Sequence, residues 1–264
     1  MMMNNTLAQL RDLKLAGMVC AIEEQLSGSA STTLSFEERL ALMVDREVHH
    51  RGDKRRAALL KRAQLKYPQA AIEDVDARAG RGFERSTLMS LALSRWVEDG
   101  SAILITGATG SGKSWLACAL AQYACRRGQS ALYLRTPRLA EELRILHGNG
   151  GFTRWLAALA RTDVLLLDDW GLAALDGPTR SDLMEIIDDR AGTRATIITS
   201  QLPVEHWHAW IGDATIADAI LDRLLSRSHR LALKGKSLRP RKTASTDGAD
   251  EASIESHGAN SAAQ

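Results

Sequence analysis

From Ala102 onward the chain alternates two hydrophobic periodicities. Short apolar runs, AILIT from Ala102, ALYL from Ala131, VLLLDD from Val164 and ATIITS from Ala195, are separated by stretches with helical spacing after Lys113, Pro137 and Pro178. Continuous apolar runs of this length suit strands buried on both faces, and their alternation with helices predicts an α/β fold, a parallel sheet with helices on both faces.

Upstream the pattern is helical. Ser35 with Glu38 three residues later forms a capping-box signature, and Phe36, Leu40, Met43 and Val44 follow at helical spacing. The pattern continues to about residue 66, where Tyr67-Pro68 breaks it, because proline drives its predecessor out of the helical region. This predicts a small helical N-terminal domain over 1–70 and an α/β domain over 71–240. After Arg241 the only large aliphatic residue is Ile254, so 241–264 is expected to be a disordered tail.

Composition narrows the class. The chain has 264 residues, 45% hydrophobic and 25% charged, as in ordinary globular proteins. Its longest apolar runs fall far short of the roughly 18 residues that span a bilayer, so no membrane partner is expected. The N-terminus lacks a basic start followed by an apolar run, which predicts a cytoplasmic protein. Cys20, Cys118 and Cys125 include no C-x-x-C pair and do not suggest a disulfide framework.

A net charge of +2 identifies no nucleic-acid binder, but the distribution of charge is uneven: Arg46–Lys66 holds eight basic and two acidic residues. At 100° per residue, Arg51, Lys54, Arg55, Lys61, Arg62 and Lys66 share an arc of roughly 140°, with Leu59, Leu60 and Ala63 on another face. A basic amphipathic helix of this kind suits DNA phosphates, or equally a solvated helix face.

The sharpest motif is Gly107-Ala108-Thr109-Gly110-Ser111-Gly112-Lys113-Ser114, which matches G-x-x-x-x-G-K-[ST] between a predicted strand and a predicted helix. Glycines let backbone N–H groups curl around phosphate oxygens, and the helix N-terminus adds partial positive charge. Lys113 is expected on the β- and γ-phosphates of ATP and Ser114 on Mg2+. The strand Val164–Leu167 ends in Asp168 and Asp169. Asp168 is expected to hold Mg2+ through its water shell, and Asp169 to orient the attacking water, unless the pair caps the next turn. The extra strand at Ala131–Leu134, between the P-loop helix and VLLLDD, is an arrangement found in AAA+ ATPases.

AILITGATGSGKSWLACAL, VLLLDDWGLAAL and TIITSQLPVEHWHAWIGDATIADAILDRLLSRSHRLALKGKSLR closely resemble the IstB-type ATPases, helper proteins of bacterial insertion sequences, over roughly residues 7–240. The resemblance implies an AAA+ P-loop NTPase core, related to the DnaC helicase loaders. It implies an ATPase that oligomerises on double-stranded DNA, with ATP at subunit interfaces, and assists a cognate transposase. Gln201 in TSQLP matches the polar sensor of the γ-phosphate, and Arg223 the arginine finger that reaches a neighbouring subunit. Ala77–Thr87 lies where relatives receive the adenine. Asp169 stands where most AAA+ proteins have Glu, and too little chain follows Arg223 for a C-terminal lid domain, leaving Arg230 as a substitute sensor. The rival readings are a DnaC-like loader of a replicative helicase and an ATP-gated DNA scaffold that scarcely hydrolyses.

Overall fold

The computed structural model describes residues 2–28, 33–76, 81–235 and 237–238; the tail over 241–264 and the first part of the proposed adenine segment, 77–80, lie outside the described residues. Three helices come first: α1 (Met2–Asp12), α2 (Ala16–Ser27) and α3 (Phe36–Ala63). The capping box that opens α3 is formed, with Glu38 N–H donating to Ser35 Oγ at 3.2 Å and Ser35 N–H to Glu38 Oε2 at 2.8 Å. At 1.5 Å rise per residue the 28 residues of α3 extend for about 42 Å.

α2 and α3 meet where Gly17 removes bulk; a Cβ there would stand 2.6 Å from the Glu47 Cα. Glu47 is buried, and its Oε2 accepts the N–H groups of Gly17 at 2.7 Å and Met18 at 3.2 Å. One carboxylate thereby caps the α2 N-terminus, which has no side-chain cap of its own. The hydrogen bond from Arg51 Nε, 2.6 Å from Glu47 Oε1, outweighs burial and with the two amides holds the carboxyl below the usual carboxylate range.

α3 ends at Ala63, followed by Gln64 in the left-handed region at φ 51°. Ala63 and Leu65 are buried in the same core as the central strands, with Leu59 and Leu60 packed against it. The predicted apolar stripe is therefore what docks the long helix onto the α/β domain. A 3-10 turn at Ile72–Asp74 and α4 (Arg85–Leu93) lead into the sheet.

The remaining elements alternate as expected: β1 (Ala102–Gly107), α5 (Lys113–Arg126), β2 (Ala131–Arg135), α6 (Thr136–Gly148), α7 (Phe152–Ala160), β3 (Val164–Trp170), α8 (Gly177–Arg190), β4 (Ala195–Ser200), α9 (Trp207–Ile211), α10 (Ala214–Ser226) and β5 (Ser228–Leu233). The five strands are all parallel in the order β2-β3-β4-β1-β5. Strand alternation divides the core. Ile103, Ile105, Val164, Leu166 and Ile197 face α5 and the end of α3, while Leu104, Leu165, Leu167 and Ile198 face α6–α10. β5 was not among the predicted strands.

A buried arginine fastens the far end of the sheet. Arg190, 1% exposed, donates to the carbonyls of Leu159 (2.7 Å), Thr162 (3.0 Å) and Ala195 (2.6 Å), tying α7, α8 and β4 together. Burial lowers its pKa to about 10, so the guanidinium remains charged at neutral pH. Among the described residues no helix follows β5, so no lid domain is present there, and no helix is long and apolar enough to cross a membrane.

Candidate active site

The strand order brings the C-terminal ends of β1, β3 and β4 together, the edge where open α/β sheets bind ligands. The P-loop leaves β1 at Gly107 and enters α5 at Lys113. Gly110 and Gly112 adopt φ values of 81° and 94°, which residues with a Cβ rarely adopt, and they turn the loop into the α5 N-terminus. Lys113 is nearly buried and its Nζ donates to the carbonyls of Gly107 at 2.8 Å and Ala108 at 2.9 Å, so the ammonium sits inside the loop's curl. A cleft of about 440 Å3 opens here, lined among others by Thr109, Lys113, Ser114, Asp169 and Gln201; small-molecule sites span roughly 300–1,000 Å3.

Asp168 is fully buried behind Ser114 and Lys66, which line the cleft. Its Oδ1 accepts from Ser114 Oγ at 2.7 Å and from Thr199 Oγ1; its Oδ2 accepts from Tyr133 OH at 2.8 Å and faces Lys66 Nζ at 3.4 Å. Burial alone pushes this carboxyl up, but the Thr199, Ser114 and Tyr133 hydroxyls and the Lys66 ammonium more than reverse that, leaving it below the usual carboxylate range. The Tyr133 phenol is pushed up strongly by burial and then by Asp168, so it stays a proton donor. A carboxylate held below its usual range beside a hydroxyl is a hard-oxygen pair, and Ser114 with Asp168 fits Mg2+.

Consecutive residues of an unbroken strand point to opposite faces, which would separate Asp168 from Asp169. A bulge prevents this. Leu167 pairs with Ile198 but Trp170 with Ser200, so β3 carries one more residue than β4 at this point, and Asp169 turns to φ 62°. Its N–H donates to Thr199 Oγ1 at 3.2 Å, and its Oδ2 accepts from Arg135 Nε at 2.8 Å. Arg135 is raised above its ordinary value chiefly by that hydrogen bond and remains a full cation. Gln201 closes the other side, accepting from Thr109 Oγ1 at 2.7 Å.

The chain returns to the P-loop after β5. Leu238 N–H donates to Gly110 O at 2.9 Å, and a Cβ on Gly110 would meet Ser237 Oγ at 2.2 Å. Of the proposed adenine segment, Arg81 donates to Ser111 O at 2.8 Å, and Phe83 lines a small adjoining recess with Trp115, Leu233 and Leu238.

Of the residues that sequence reasoning placed, Thr109, Gly110, Gly112, Lys113, Ser114, Asp169 and Gln201 line one cleft, and Asp168 is buried against Ser114 behind it. Sequence reasoning missed Tyr133 in the middle of β2, Arg135 at its end and Thr199 near the end of β4. For Arg135 and Thr199 the only signal is a polar residue at the close of an apolar strand.

Arg223 lies elsewhere, donating to Asp188 of α8 and to Ala219 O at 3.0 Å. Its neighbours Ala102 and Thr196 begin β1 and β4, so the length of a six-residue strand, roughly 17 Å, separates it from its own P-loop. That position lies at the opposite end of the sheet from the chain's own P-loop.

The basic set divides. Lys54, Lys61 and Arg62 are exposed on α3. Arg51 is paired with Glu47, and Arg55 reaches Gly128 O at 3.4 Å. Lys66 departs from the sequence reading: helical periodicity put it on the DNA-facing arc, but the left-handed turn at Gln64 ends the helix before it and directs its ammonium to Asp168.

A five-stranded parallel sheet in this order, with a P-loop after β1 and carboxylates ending β3, defines a P-loop NTPase of the AAA+ class. The chain matches the solved DnaC helicase loader with a TM-score of 0.55 and 21% identity, over 64% of this chain and 99% of that one, a likeness of fold. The family profile described as IstB-like ATP binding protein matches residues 8–246, and the chain belongs to that family. It is 56% identical to the ATP-binding protein of insertion sequence IS1162 of Pseudomonas fluorescens, over 77% of this chain and 88% of that protein. It is 46% identical to the insertion-sequence ATP-binding protein y4pL of Sinorhizobium fredii, over 90% and 97% respectively.

Proposed function

We propose that this ATP-binding protein of the IstB family is an ATPase that assembles on double-stranded DNA, with nucleotide at subunit interfaces, and assists the transposase of its insertion sequence. The observation that supports catalysis is that Lys113, Ser114, Asp169 and Gln201 line one cleft, with Asp168 buried against Ser114 behind it. Backbone N–H groups of Gly107–Ser114 and the α5 dipole bind the phosphates, and Lys113 exchanges its loop carbonyls for phosphate oxygens. Ser114 and Asp168 would hold Mg2+, which supplies charge neutralisation at the phosphate oxygens. Asp169 is the acceptor for the attacking water. The Arg135 ion pair fixes its rotamer and leaves Oδ1 for the water. Gln201 senses the transferred phosphate from the Thr109 side, and Arg223 completes the site of an adjacent subunit, exchanging Asp188 for phosphate.

Exposed Lys54, Lys61 and Arg62 support phosphate-led contact with duplex DNA, which positions the protein without reading bases. The transposase as partner rests on the insertion-sequence relatives. The DnaC likeness is one of fold and carries no helicase with it. The test is phosphate release from ATP with Mg2+ or excess chelator, on duplex DNA. Wild type is expected to turn over only with the metal and Lys113→Ala not at all, whereas equal release by both proteins overturns the assignment.

A further inference from the structure

Lys66 is a cation that the nucleotide-site motifs do not account for. It stands just beyond the end of the basic helix α3, yet its ammonium lies 3.4 Å from Oδ2 of the fully buried Asp168. The bend that carries it is clamped to the P-loop helix. Leu65 is buried, the Tyr67 ring lies 5.6 Å from the ring of Trp115, the residue after Ser114, and the Lys66 ammonium sits 5.6 Å from the Tyr67 ring. One carboxylate therefore faces two cationic claims, the ammonium on Oδ2 and the divalent ion that it would hold with Ser114. Like charges sharing one buried acceptor disfavour one another.

We infer that Lys66 is a positioning residue that competes with the divalent metal for Asp168 and thereby couples nucleotide loading to the basic helix α3. This rests on the ATPase reading above. When the metal is bound, the ammonium withdraws from Oδ2 and moves the Gln64–Tyr67 bend, to which the DNA-facing end of α3 is joined. Linkage is reciprocal, so the same bend makes DNA affinity respond to Mg2+ and ATP.

The test uses the full chain as wild type, Lys66→Met, which keeps the aliphatic stem against Tyr67, and Lys66→Arg, which keeps the charge. Mg2+ is titrated at fixed fluorescent ATP analogue, and binding of a labelled duplex is measured with and without Mg2+ and a non-hydrolysable ATP analogue. The expected result is a half-saturating Mg2+ concentration about 5-fold or more lower in Lys66→Met. The nucleotide-dependent change in DNA affinity should shrink to under about 2-fold in Lys66→Met and persist in Lys66→Arg. An unchanged Mg2+ midpoint in Lys66→Met, or loss of Mg2+-dependent nucleotide binding in that variant while Lys66→Arg binds, overturns the inference. Failure of wild type to bind duplex DNA would instead sink the functional reading, and the Mg2+ midpoint would still decide the competition at Asp168.

Discussion

Tyr133→Phe isolates one of the four donors on Asp168, because it removes the hydroxyl and keeps the ring. The hydroxyl stands 2.8 Å from Oδ2 of a carboxylate with no solvent exposure, so water does not replace it freely. A hydrogen bond to a charged group contributes about 1.5–3 kcal/mol, and with three donors remaining the lower end applies, about 1.5 kcal/mol. Losing the hydroxyl raises the folded carboxyl's pKa back toward its ordinary value. The sign follows from the depressed value of Asp168. Its contribution to stability is present above the unfolded carboxylate pKa, near 4, and is lost as pH falls through the lower folded value. The Tyr133 phenol does not ionise across neutral pH, because burial and then Asp168 push it up. Urea unfolding at pH 7 is therefore expected to show a lower midpoint in Tyr133→Phe, with the difference from wild type narrowing below about pH 4. Equal midpoints at pH 7, or a difference that does not change with pH, would refute the claim that the phenol stabilises an ionised Asp168.

Arg190→Met leaves the carbonyls of Leu159, Thr162 and Ala195 without their donor and should destabilise by about 3 kcal/mol or more, seen as a lower denaturant midpoint; a near-neutral effect would contradict the buried-clamp reading. Arg223→Ala should spare nucleotide binding by the monomer and reduce hydrolysis in the assembly, with activity partly restored on mixing with Asp169→Asn, since each variant supplies what the other's site lacks; no restoration in mixtures would argue against action in trans. Replacing Lys54, Lys61 and Arg62 together by Gln should flatten the slope of log affinity against log salt for duplex DNA by about 0.9 per lost phosphate contact, and an unchanged slope would remove α3 from the interface.

What could be read from the sequence was what short-range pattern encodes. The four predicted strands hold because each is a run of largely apolar residues, buried along most of β1, β3 and β4 and partly buried in the edge strand β2. The P-loop and Asp168 stand out in the sequence because each follows directly on such a run. β5 escaped because Ser228–Leu233 is an edge strand, polar and exposed over its first half, with only Leu231 and Leu233 buried. Tyr133, Arg135 and Thr199 reach the carboxylates through strand adjacency: Leu134 pairs with Leu167 and Arg135 with Asp168 only because β2 lies beside β3, which follows from packing. The bulge that turns Asp169 toward Arg135 likewise has no local signature. Periodicity also ran too far along α3. It identified the helix from Phe36, Leu40 and Val44, which prove exposed, and it carried Lys66 past a left-handed turn onto a face it does not occupy.

The central claim is an ATPase whose nucleotide site is completed by assembly on DNA. Its most direct test is the mass of the protein on duplex DNA by light scattering, with ATP, with ADP and without nucleotide, alongside phosphate release in the same samples. Large assemblies formed with ATP and DNA, releasing phosphate, are the predicted result. A monomer indifferent to nucleotide would contradict the account.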